Sequence, residues 1–173
     1  MNTKEKQENT LEKLTEIANE YIKSIQDGHV YWLGRFMHPD ALGAYKEMML
    51  YYIESNRTVF TSDTLYQIFG RCSTLDLMLS VEPLEFFNNF LGYFLQELTE
   101  TQITINDVKV VGLLKDKTLQ HLVVKSGANV SGNILEGVHV LTFEKHKDKW
   151  LLHLNRELTQ IASTLSPPSD TLH

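Results

Sequence analysis

Leu11, Leu14, Ala18, Tyr21, Ile22 and Ile25 recur at spacings of three and four, which places them on one stripe of an amphipathic helix. Asn9 with Glu12 predicts a capping box at its start, and Gly28 a stop at its end. A short helical segment from about Val30 to Met37 is expected to bury Trp32, Leu33 and Phe36. His38 precedes a proline and is pushed out of the helical region, so that segment must end there. Asp40 then stands where its carboxylate can cap a new helix, whose apolar face is Leu42, Tyr45, Met49, Tyr52 and Ile53. On this reading "HPD" is a joint, a stop followed by a cap. A capping carboxylate turns toward backbone amides and is poorly placed to orient the His38 imidazole for acid-base work.

"TSDTLYQIFG" offers Thr61 or Ser62 as a cap, Leu65, Ile68 and Phe69 as a face, and Gly70 as a stop. "CSTLDLMLS" predicts another short helix. Pro83 suits a first helical turn, and Leu84, Phe87, Leu91, Phe94 and Leu98 form a stripe that Phe86, Phe90 and Tyr93 widen. After Thr99 the period falls toward two across "TQITINDVKVVGLL", "KTLQHLVVKS", "LEGVHVLTFEK" and "KWLLHLNRE". The breaks "KDK", "GANVSGN" and "HKDK" are turn-like. Four antiparallel strands in a meander follow. Helices first and strands afterwards predict an α+β fold, with N-terminal helices packed on a curved four-stranded sheet and an enlarged helical middle. Residues 1–9 are expected to be a flexible N-terminus. Residues 10–160 form a single domain, helical to about 98 and stranded from about 102, and residues 161–173 a flexible tail.

Composition narrows the partners. A chain of 173 residues that is 42% hydrophobic can bury one continuous core without disulfides or metal. Its net charge of −6, with no basic cluster interleaved with aromatics, disfavours nucleic acid. The charged start "MNTKEKQEN" carries no leader pattern and no apolar run is long enough to span a membrane, so a cytoplasmic protein is expected. The lone Cys72 beside Arg71 has no identifiable base near it and reads as a buried inert thiol.

The order of a first amphipathic helix, a short second helix with an aromatic, "HPDA", and a late meander closing on the Trp-initiated strand "DKWLLHLN" resembles the nuclear transport factor two-like superfamily. The resemblance covers roughly the first quarter and the last two fifths of the chain. It implies a cystatin-like cone of curved sheet around a long helix, with a cavity inside. Members of that superfamily include isomerases and dehydratases, and also proteins that only bind ligands or dimerise. Here Leu42 to Ile53 is helical where many members enter a strand, which implies a helical middle that caps or fills the cavity. No catalytic position of the superfamily transfers to this chain.

Strand parity sorts the histidines. If the turn at Lys147 and Asp148 has two or four residues, Trp150, Leu152 and Leu154 share a face with His139, Leu141 and Phe143, and His153 lies with Val140 and Thr142 on the other. His139 and His153 then cannot share a metal, the face of His121 stays open, and no ligand spacing predicts a metal or cofactor. Both faces of the late strands carry aliphatics, such as Val110 against Val111, Val123 against Leu122 and Val124, and Val140 against Leu141. Helices can cover only one face, so a homodimer through the open face is expected. The leading expectation is a dimeric, non-catalytic domain that binds a small apolar molecule between helices and sheet, with Trp32, Tyr45, Tyr52, His139 and Trp150 as lining residues. The second is a proton-transfer enzyme, an isomerase or dehydratase, with His139 or His121 as base and Tyr45 or Tyr52 as donor. The third is a protein-interaction module whose helical middle docks a partner.

Overall fold

The structure, a computed structural model, describes residues 3–70, 74–99, 103–105, 109–130 and 133–154. Cys72 and the expected C-terminal tail lie outside the described residues. Helix α1 spans Thr3–Gln26 and so begins ahead of the Asn9 cap, because the preceding Lys, Glu and Gln residues are good helix formers with no breaker among them. It ends where expected. Gly28, at φ +71°, donates to Ile25 O at 3.1 Å and His29 donates to Ser24 O at 2.8 Å, the paired bonds that close a helix on a left-handed residue.

The next segment, Val30–Phe36, is a 3-10 helix. With three residues per turn Leu33 and Phe36 fall on one ridge, and both are buried. Trp32 lies off that ridge and is 64% exposed, which corrects the expectation that it is buried. Helix α2 spans Pro39–Ser55 and buries the expected face of Leu42, Tyr45, Met49, Tyr52 and Ile53. Its cap is His38 and not Asp40. Proline lacks an N–H and suits the first helical position, so capping falls on the residue before it, whose Nδ1 accepts the Asp40 N–H at 3.2 Å. Asp40 sits in the first turn, where a carboxylate favours the helix dipole.

Helices α3 (Ser62–Phe69) and α4 (Leu75–Leu79) are capped by the hydroxyls of Thr61 and Thr74, and Gly70 stops α3 at φ +67°. Helix α5 spans Pro83–Thr99 and buries Phe86, Phe87, Phe90 and Leu91, while Leu84 in its first turn stays 45% exposed, off the expected stripe.

Strands β1 (Ile103–Ile105) and β2 (Lys109–Asp116) lie end to end on one edge of β3 (Leu119–Val130), in the segment expected as a single first strand. Strand β4 (Asn133–His146) pairs with the other edge of β3, and β5 (Lys149–Leu152) pairs with β4. All pairings are antiparallel, so the sheet is an open meander four strands wide. "GANVSGN" is not a loop over its first residues: Gly127 to Val130 continue β3, because β1 on one side and β4 on the other supply partners for their backbone groups.

Helix α1 packs on β1 and β3, the 3-10 helix lies between α1 and α5, and α2 and α3 pack on α5. The inner sheet face contributes Leu122, Val124, Leu141, Phe143 and Leu152 to the same core as these helices. Two glycines let the 3-10 helix approach α5: the Tyr31 ring rests on Gly92, and Gly34 donates its N–H to Asn88 Oδ1 at 2.9 Å. A methyl group at Gly34 would meet Leu84 Cδ1 at 2.5 Å and Asn88 Oδ1 at 2.7 Å. Leu84 can swing aside, but Asn88 is held by the backbone it would have to leave. Gly34→Ala is therefore expected to lower stability by about 1–3 kcal/mol, read as a lower urea midpoint at unchanged slope. An unchanged midpoint would show that the helices separate freely there.

Candidate functional site

Hairpin geometry decides which side chains meet on the sheet. His146 pairs with Lys149 around a two-residue turn at Lys147 and Asp148, with Lys147 at φ +55°. Even positions of β4 therefore share the outer face with odd positions of β5. His153, just past β5, is drawn into register by its N–H donating to Thr142 O at 2.8 Å. Glu144 lies beside it on that face, and His153 Nε2 stands 2.9 Å from Glu144 Oε2.

The joint supplies the third member. Met37 forms a parallel bridge with Leu152, and the His38 N–H donates to Leu152 O at 2.7 Å, so the chain entering α2 runs briefly as an extra strand along β5. Neighbouring residues in an extended chain point to opposite sides. Met37 enters the core while His38 turns to the outer face, where its ring stacks on His153 with centroids 4.8 Å apart. His146 meets the His38 ring edge-on at 5.1 Å. Ligand atoms of His38, Glu144 and His153 all lie within 4.8 Å of one another.

The cluster is held from outside as well. Thr118 in the β2–β3 turn donates to Glu144 Oε1 at 2.9 Å, leaving Oε2 for His153. The hydrogen bond from His153, then that from Thr118, hold the Glu144 carboxyl below its ordinary range, so it is an anion throughout the neutral range. His38 is buried, whereas Glu144 and His153 keep about a quarter of their side chains exposed, so the group is open to small solutes. Chemically it gathers imidazole nitrogens and one carboxylate within 4.8 Å of one another, a set suited to a cation or to moving a proton.

The residues singled out from sequence are dispersed. His121 lies on the outer face, opposite Thr142, with Nδ1 3.0 Å from its hydroxyl. His139 lies on the inner face, opposite Val124, with its ring against Gly137. The two candidate bases are thus on opposite sides of the sheet. Tyr45 is buried with its ring 4.8 Å from Phe87, and burial, with Tyr21 adding to it, pushes its phenol well above the ordinary range. Tyr52 packs edge-on against Phe60 at 5.5 Å, and burial raises its phenol too. Trp150 packs half-buried against the core. Trp32 borders a surface depression with Ser24, His29 and Arg35. A larger surface cleft has Ile53, Phe60 and Leu65 in its floor and Glu54, Arg57 and Asp76 at its rim.

Parity alone places Glu144 with His153, since Glu144 is two residues beyond Thr142 on the same strand. His38 had no such signal, because its place depends on the parallel bridge at Leu152.

Fold and site together define an α+β domain with a polar cluster at one end of a sheet face that carries exposed aliphatics. No family model matches the chain, and neither curated proteins nor solved structures give a match. Among the described residues, no helix is long and apolar enough to cross a membrane.

Proposed function

We propose that the chain is a homodimeric binding domain, joined to its second copy through the outer face of the sheet. The observation that carries this reading is a group of aliphatics on that face: Leu114, Val138 and Val140, with Val111 at the bulge of β2 beside them, are each about half to two-thirds exposed. Exposed apolar side chains grouped on one sheet face mark an interaction surface. A second copy is the favoured occupant because the patch is self-matching. Lys125 and Glu136 form an ion pair on the same face, which leaves it locally neutral and able to meet its own image around a two-fold axis.

The element order supports kinship with the nuclear transport factor two-like superfamily, with helices on one face of a curled meander. Binding is favoured over proton transfer because the candidate histidines and tyrosines are scattered and not convergent. Phe86, Phe87, Phe90 and Phe143 are fully buried in the shared core, so a small apolar molecule is best accommodated in the cleft floored by Ile53, Phe60 and Leu65.

Light scattering after size exclusion is expected to return twice the chain mass of 19.9 kDa. Val140→Glu, which puts like charges opposite each other across the interface, is expected to weaken association by about 100-fold or more with the fold intact. Native mass spectrometry of the same sample reads any retained apolar molecule. A monomer at tens of micromolar, or a dimer indifferent to Val140→Glu, would remove the sheet face from the interface.

A further inference from the structure

We infer that His38, Glu144 and His153 form a binding site for a divalent transition-metal cation of the zinc class. The inference does not rest on the dimer. Among the described residues these three bring their ligand atoms within 4.8 Å of one another. A tetrahedral cation with bonds of about 2.0–2.2 Å needs ligand atoms roughly 3.3–3.6 Å apart. His153 Nε2 and Glu144 Oε2 are 2.9 Å apart, so side-chain rotations of about an ångström, with the proton His153 Nε2 shares with Glu144 moved to Nδ1, convert the hydrogen-bonded cluster into a coordination shell.

The backbone behind the ligands is already fixed. The His38 N–H donates to Leu152 O and the His153 N–H to Thr142 O, and Glu144 lies inside a paired strand. The three segments are therefore held by the sheet before any ion arrives, as a site of useful affinity requires. Two imidazoles and one carboxylate suit zinc and its late first-row neighbours, whereas magnesium and calcium prefer all-oxygen shells. His146, edge-on to His38, lies outside this group, so the fourth position falls to water.

Asp40 acquires a role from the same geometry. His38 Nδ1 now accepts the Asp40 N–H, which leaves the ring proton on Nε2. A cation bound at Nε2 requires that proton to sit on Nδ1 instead, which releases the Asp40 N–H; Asp40 Oδ2, 3.6 Å from Nδ1, then has to close by about half an ångström to accept the proton. A carboxylate behind a ligating histidine fixes its tautomer and strengthens it as a ligand. The spacing from 38 to 144 to 153 resembles no zinc signature because the ligands come from a helix entrance and two strands brought together only by the fold.

The test uses the full chain, free of any histidine tag and stripped with chelator, then given one equivalent of zinc ions. The expected result is one zinc per chain by native mass spectrometry, a higher melting temperature, no response to magnesium, and a four-coordinate visible spectrum when cobalt replaces zinc. His153→Ala and Glu144→Gln, neither of which caps a helix, are each expected to abolish stoichiometric binding while the chain stays folded. Asp40→Asn is expected to weaken it about 10-fold or more. His121→Ala, on the same face but outside the cluster, is expected to retain it. Absence of zinc binding, or binding that either His153→Ala or Glu144→Gln retains at wild-type affinity, overturns the site.

Discussion

Phe90→Ala is expected to remove about 3–5 kcal/mol of stability, the largest loss among single truncations in the helical layer. Phe90 is essentially fully buried, and its ring meets Tyr45, Phe60, Phe69 and Phe86 at centroid separations of 5.9–6.4 Å. These four rings come from three further places in the chain besides α5 itself: α2, the turn before α3, and α3. Truncating Phe90 thus opens a void that no single side chain can fill, because its neighbours are rigid rings in a close-packed interior. Against a total stability of about 5–15 kcal/mol the loss is large, and a thermal melt followed by circular dichroism is expected to drop by roughly 6–20 °C. Phe90→Leu, which keeps most of the volume, is expected to lose much less. A melting temperature unchanged by Phe90→Ala would mean that the helices do not converge on this ring.

Leu141→Glu is expected to prevent folding, whereas Val140→Glu leaves the monomer folded, although the two positions are adjacent. Leu141 is buried opposite Leu122, which is also buried, on the inner face. A carboxylate there has no partner and no water, and an unpaired buried charge costs more than most domains can absorb. Val140 faces outward opposite Val123, and its exposed side chain leaves room for a hydrated carboxylate. Soluble expression and urea denaturation of both variants check the contrast. A reversed contrast, with Val140→Glu failing to fold and Leu141→Glu tolerated, would show that the β3–β4 register is shifted by one residue, since such a slip exchanges the faces.

Much of the helical half was legible because its signals are local. The Gly70 stop and the Leu65, Ile68, Phe69 face arise within one helix, as does a cap narrowed to Thr61 or Ser62, of which the structure takes Thr61, and the face of α2 follows from its period alone. Trp32 leaves the face that a period of 3.6 predicts for it because the chain there takes a period of three. The cap of α2 was assigned to Asp40 because aspartate is a common capping residue; the proline at the first helical position moves that task back to His38. The joint at "HPD" is real, but it is also a point of assembly: the residue that ends one segment and caps the next is the one that meets Glu144 and His153.

The amino-acid sequence by itself determined the α+β order of the chain, the stop of α3, and the parity that sets His153 apart from His139, because each follows from backbone geometry within a few residues or around one short turn. The tertiary structure alone decided that Gly127 to Val130 are strand, that His121 faces outward, and that His38 joins the cluster. Each of those outcomes depends on a partner far along the chain. A residue's own period states which side it can face, but only the strand lying next to it determines what it meets there.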